Sequence, residues 1–308
     1  MKLDSSLELI ENTPLIKLQN ISKCTGKIYA KAEFVQPGGS IKDRAALHII
    51  KDAYNSGKLK GGQPVVEMTS GNMGAGLAIV CNMYRNPFTA VMSEGNSNAR
   101  AKMLESLGAK VVLVPQVDGS AGHVTGNDIK AATERAISLN KESNAFYVDQ
   151  FNNPSSVSAH FNGTGPELWE DIGSELTAFV AAVGSGGTFV GTSKFLKQKN
   201  QNIVCAAVEP EGAEVLAGKP IINPKHNMQG IGYCIKVPHW EPELVDHYLT
   251  VNSDEAVYYR KELAEKEGLH VGFTAAANVC AAVKLIERGL AGVSPTVATV
   301  LCDTGLKY

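Results

Sequence analysis

Several short stretches of this chain place glycines beside groups that can act on a small anionic molecule. In Pro37-Gly38-Gly39-Ser40-Ile41-Lys42-Asp43-Arg44, paired glycines permit a tight turn and Lys42 enters at the start of a helical pattern. A cation is disfavoured at the positive end of a helix dipole. That field favours the neutral amine, the form that makes an imine or accepts a proton. The competing reading is a solvated surface lysine. In Thr69-Ser70-Gly71-Asn72-Met73-Gly74, hydroxyls, an amide and glycines follow an apolar run. They make a cup of donors for a carboxylate or phosphate, or an ordinary helix cap by Ser70 or Asn72.

The strongest local signal is Gly184-Ser185-Gly186-Gly187-Thr188. Peptide N–H groups at the head of the following helix hold a phosphate without needing a cation. A dinucleotide fingerprint would need glycine where Phe189 stands. Glu209, one strand further on, could still serve as a ribose-binding acid, so a nicotinamide-dependent oxidoreductase stays open. Lastly, Gly272-Phe273-Thr274-Ala275-Ala276-Ala277-Asn278 opens a helix with residues small enough to approach a ligand closely, Thr274 being its cap in the plainer reading.

The elements that must position these loops alternate along the chain. Continuous apolar runs predict strands at 64–67, 88–92, 110–114, 178–183, 203–208 and 296–301. Helical patterns lie at 43–56, 72–84, 99–107, 127–139, 189–199, 254–267 and 274–288. Strands that are apolar throughout are covered on both faces, and alternation of this kind implies a doubly wound α/β protein. In such sheets ligands collect at the carboxyl ends of strands. The irregular stretch 218–242 is either a lid over an active site or a surface crossover.

With 308 residues the chain can bury a full core, and its formal net charge of −2 comes from well-mixed signs. Nucleic acid and an anionic membrane are therefore not expected partners. The first residues lack the apolar segment of a secretory signal, and no apolar run reaches membrane-span length. The six cysteines are scattered, with no CxxC and no metal-ligand spacing. They read as reduced thiols of a cytoplasmic protein, with no metal expected.

In order and spacing, these segments resemble the cysteine synthase and cystathionine β-synthase family, pyridoxal-phosphate enzymes of the tryptophan-synthase-β fold. The likeness runs from Asn12-Thr13-Pro14-Leu15 to Cys302-Asp303-Thr304-Gly305. It implies two open-sheet domains: a larger cofactor-binding one (1–40 plus 147–308) and a smaller, mobile one (41–146). Lys42 matches the lysine that holds the cofactor as a Schiff base. Asn72 matches a ligand of the cofactor ring, and Gly184, Ser185, Gly186, Gly187 and Thr188 match the phosphate cradle. Thr274 stands where a serine usually faces the pyridine nitrogen. Thr69, Ser70, Gly71, Asn72, Met73 and Gln150 match residues that hold the substrate carboxylate, and Gly230 falls in the lid.

The implied reaction is β-replacement on an O-activated serine, O-acetylserine foremost, by sulfide or a thiol. Lys42, once released by the substrate amine, takes the α-proton. A homodimer is also implied. Departures leave room for a cystathionine or lanthionine synthase, or a cysteine desulfhydrase. Met73 replaces a threonine, and Ala275-Ala276 replaces Ser-Gly. Ser120-Ala121-Gly122-His123-Val124 lacks a methionine. Gly230-Ile231-Gly232-Tyr233 follows the cystathionine β-synthase version of the lid, which makes Tyr233 a candidate proton donor to poor leaving groups.

Overall fold

The structure is a computed structural model that describes residues 2–21, 25–122, 124–224 and 226–307. Cys24, one of the six cysteines, and His123 lie outside the described residues. The chain begins with strands β1 (Leu15–Leu18) and β2 (Lys27–Ala32), then α1 (Lys42–Asn55), β3 (Val65–Met68), α2 (Asn72–Tyr84), β4 (Phe88–Ser93), α3 (Asn98–Ser106), β5 (Lys110–Val114), α4 (Gly126–Ser143) and β6 (Phe146–Tyr147). It continues through α5 (Ser155–Ala159), a π-helical turn (His160–Thr164), α6 (Gly165–Ile172), β7 (Ala178–Ala182), α7 (Gly187–Lys199) and β8 (Val204–Pro210). Last come β9 (His247–Val251), α8 (Ser253–Glu267), α9 (Phe273–Glu287) and β10 (Thr296–Leu301).

Two compact units result. The first comprises residues up to Ile10 and Lys42–Ser156, the second Glu11–Ile41 and the chain from Val157 onward. These limits differ from the boundaries at 40/41 and 146/147 that the resemblance implies. Ile10 and Val148 are both buried in the core of the first unit, which draws their segments into it.

The first unit holds a parallel sheet in the order β5-β4-β3-β6. Successive side chains of a strand face opposite ways. Val65 accordingly packs in a cluster with Ala46, Ile50 and Leu77 of α1 and α2, while Val66 packs with Ala132 and Ala136 of α4. Burial on both faces is why this strand reads as one apolar run. In the second unit the order is β1-β2-β10-β7-β8-β9, with only β1 antiparallel to its neighbour. Val180 of β7 joins Leu263 of α8 and Val279 of α9, and Phe179 joins Leu168 of α6 and Phe189 of α7. The doubly wound α/β arrangement expected from the alternation is present.

Four strands gave no clear sequence signal. In β2 the apolar pattern is broken by Lys31, yet its side chain is only 1% exposed. It is paired with Glu167 at 2.8 Å and donates to the carbonyl of Thr13. The edge strands β1 and β9 are short and half-exposed, and β6 has two residues.

Candidate active site

In the first unit the loop after β3 leads straight into α2. No side chain of the N-cap residue, Gly71, caps this helix. Instead Thr69 Oγ1 accepts the peptide N–H of Gly74 at 3.1 Å, so a residue outside the helix fixes its first turn. The cap by Ser70 or Asn72 considered from the sequence is not what the loop uses. Ser70 Oγ accepts from a guanidinium nitrogen of Arg100, on α3, at 3.4 Å. Helix dipole, first-turn N–H groups and Arg100 together form a positive pole at the carboxyl end of β3.

Gln150 reaches the same strand end, its Nε2 lying 3.2 Å from Glu67 Oε1 and 3.5 Å from the carbonyl of Met68. Met73 differs from its neighbours. Its side chain is 3% exposed and packs in the hydrophobic core of the unit. Its side chain is therefore committed to packing, and only its backbone can serve a ligand at this loop.

Lys42 is the first residue of α1 and is half-buried. The segment ahead of it is tied to the end of β10. Ile41 donates its N–H to the Cys302 carbonyl at 2.8 Å, and Ser40 bridges to Asp303. Gly39 makes the turn with φ of +68°, a conformation that side chains resist.

In the second unit, β7 ends in the glycine loop and α7 begins at Gly187 with no side-chain cap. Gly186 has φ of +93°. A Cβ on Gly184 would lie 2.3 Å from the carbonyl oxygen of Gly230, so only glycine fits. That contact places the Gly230 segment against the cradle. Thr188 Oγ1 is 3.2 Å from Nε2 of the buried His160, whose Nδ1 is 2.9 Å from Thr164 Oγ1. Thr274 is buried near the head of α9, but Gly272 is the N-cap there. The Thr274 hydroxyl donates to the Gln229 carbonyl at 3.1 Å, so Thr274 orients the 229–230 segment rather than capping its helix. Asn278, one turn further, fixes α9 to both neighbouring strands through Ala182 N–H at 2.7 Å and the Val300 carbonyl at 2.8 Å.

Beyond Gly230 the lid turns twice. Gly232 has φ of +63° and Cys234 φ of +57°. His226 Nε2 lies 3.2 Å from the Gly232 carbonyl. Tyr233 is 42% exposed. Burial pushes the Cys234 thiol up, with the nearby Glu209 carboxylate adding to the effect. Glu209 itself is buried and accepts the N–H groups of Leu216 and Ala217 at 2.9 and 3.0 Å. It is occupied in holding the chain after β8, so the ribose-binding role weighed for it has no support.

With fold and loops in place, a family model described as "Pyridoxal-phosphate dependent enzyme" matches residues 7–303. The chain is 37% identical over 303 residues to the O-acetylserine dependent cystathionine beta-synthase of Bacillus subtilis, covering 98% of this chain and 94% of the relative. It is 37% identical over 310 residues to a cysteine synthase of Staphylococcus aureus, covering 99% and 95%. Among solved structures, a hydrogen sulfide-producing enzyme of Fusobacterium nucleatum superposes with a TM-score of 0.91 at 32% identity, covering 100% of this chain and 98% of that one. The chain is a pyridoxal-phosphate-dependent enzyme of the cysteine synthase and cystathionine β-synthase family, and the nicotinamide alternative falls.

The residues present fit that cofactor. An uncapped helix head built from glycines suits a phosphate dianion, and the space a Gly184 side chain would need is taken by backbone. Arg100, Glu67 and His160 were not singled out from the sequence. Glu67 carried a usable signal, an acid ending an otherwise apolar strand. Arg100 and His160 sit inside ordinary helical text and carry none.

Proposed function

We propose that the chain catalyses β-replacement on an O-activated L-serine, O-acetylserine first, with sulfide or a thiol, yielding cysteine or a cysteine derivative. The observation that carries this reading is the positive pole at the start of α2, where Thr69, Ser70 and Arg100 meet. It matches the α-carboxylate of an amino acid. The similarity to a relative whose name specifies O-acetylserine supports the choice of leaving group.

In this reading Gly184, Ser185, Gly186, Gly187 and Thr188 would hold the cofactor phosphate, and Asn72 and Thr274 would contact its ring. Bound pyridoxal phosphate supplies the electron sink that makes the α-hydrogen acidic and lets the β-substituent leave. Lys42 anchors the cofactor and, once displaced, moves the α-proton at Nζ. Ser70, Gly71, Gln150 and the N–H of Met73 would hold the carboxylate, and the resemblance gives Gly230 a substrate-binding place as well. A hydroxyl at Thr274, unlike an acid, would not enforce a protonated ring, which suits elimination at the β-carbon. To donate to the ring nitrogen it would exchange its bond to the Gln229 carbonyl. A cytoplasmic homodimer belongs to the same proposal. The buried free thiols of Cys81 and Cys280, which burial pushes up to about 12, fit the cytoplasmic part of it. The homodimer rests on the family resemblance alone.

A second reading, use of serine or cysteine with a poorer leaving group, is favoured by the lid tyrosine. Tyr233 would protonate the departing hydroxide or sulfide. Steady-state assays across acetylserine, phosphoserine, serine and cysteine, each with sulfide and homocysteine, separate the two. Acetylserine is expected to give the highest kcat/KM. Turnover of cysteine alone would replace the first reading with the second.

A further inference from the structure

Glu67 lies beneath the substrate loop, two residues before Thr69, and its side chain is 1% exposed. Its carboxyl group meets the chain where it returns after β6. One oxygen accepts the Asp149 N–H at 2.8 Å, and the other takes Gln150 Nε2 at 3.2 Å. Asp149 has φ of +51°, so the backbone accepts an unfavourable conformation where it meets this acid. With the Met68 carbonyl 3.5 Å from the same nitrogen, the amide turns its NH2 end inward. Its oxygen is left for whatever approaches the strand end. A carboxylate ligand needs the opposite orientation, because it can only accept hydrogen bonds.

The two ends of a glutamine amide are nearly equal in shape, so the partner decides which faces outward. An ionised carboxylate accepts only and must take the NH2 end. A protonated carboxyl group can donate to the amide oxygen and release the NH2 group. We propose that Glu67 is a positioning residue whose proton selects which end of Gln150 is presented to the substrate carboxylate. This rests on the reading of Gln150 as a carboxylate ligand.

Burial pushes the Glu67 carboxyl up to about 8, against the hydrogen bonds from Gln150 and Asp149, and the Asp149 carboxylate adds to the rise. The titratable groups facing it are Asp149, just after β6, and Tyr147 within β6. Below that range Glu67 holds its proton and the amide offers NH2. Above it Glu67 ionises, reclaims the NH2 group, and carboxylate affinity falls.

The test uses the holoenzyme and L-alanine, an amino acid with no β-leaving group, its binding followed by the cofactor spectrum. In Glu67→Gln, the new amide accepts from Asp149 and donates to the Gln150 oxygen at every pH. Titration of the alanine amine is common to both proteins, so the ratio of dissociation constants isolates residue 67. Between about pH 6 and about pH 10, wild type over variant is expected to rise about tenfold, the scale of one hydrogen bond to a charged group. A ratio that stays flat overturns the proposal. Gln150→Leu is measured alongside, and unaltered alanine affinity there would instead sink the carboxylate reading of Gln150. Infrared difference spectra supply the second readout. A protonated-carboxyl band at neutral pH, absent from Glu67→Gln, is expected, and its absence from wild type contradicts the account.

Discussion

The loop after β3 and the loop after β7 solve related problems differently. Both run from a parallel strand into a helix head, and both suit an anion. The first is held by side chains: Thr69 caps α2, Arg100 meets Ser70, and Gln150 rests on Glu67. The second is nearly all backbone, with a left-handed glycine and no side-chain cap, packed so closely that Gly184 has no room for a methyl group. A backbone cradle has few rotamers to lose and suits a group that stays bound. Side-chain donors can be reordered, which suits a substrate that comes and goes. The contrast fits the proposed function, in which the second loop takes the cofactor and the first the amino acid.

The assignment can be broken in several ways, beginning with the largest effect. Lys42→Ala is expected to lower kcat by three or more orders of magnitude, because in the proposed function one residue serves as anchor and base. Cofactor is expected to remain, since the cradle is untouched. Loss of all cofactor from this variant would shift the anchoring role away from the glycine loop. Gly184→Val is expected to do the reverse and purify with little cofactor, as its side chain meets the Gly230 carbonyl. Full cofactor content there would show that the cradle can yield.

Smaller changes probe the first loop. Met73→Thr removes a buried side chain and should cost about 2 kcal/mol in unfolding free energy, within the range for core truncations. The ranking of serine substrates is expected to stay as it is, because this side chain packs in the core. A shift of preference toward acetylserine would return Met73 to the substrate. Arg100→Leu should raise KM for acetylserine about fivefold with kcat nearly constant, the scale of one lost polar contact. A fall in kcat alone would give Arg100 a part in the chemistry.

Much of this was legible in the sequence because burial on both faces leaves continuous apolar runs. The text marks α2, β5 and β10 at their observed limits, and the glycine loops fall at the strand ends where the fold needs them. What stayed hidden depended on partners far away in the chain. Lys31 breaks the pattern of β2 because its charge is met by Glu167, 136 positions later. Arg100 reaches Ser70 only because α3 packs beside the loop after β3. Met73, which the resemblance sets in the substrate loop, has its side chain in the core, where the sequence alone does not place it.

Reduction of the holoenzyme with borohydride, followed by peptide mapping, tests the central claim most directly. The cofactor should be fixed to the peptide containing Lys42, with the yellow absorbance lost in step with labelling. A label on any other lysine, or none at all, would contradict the account.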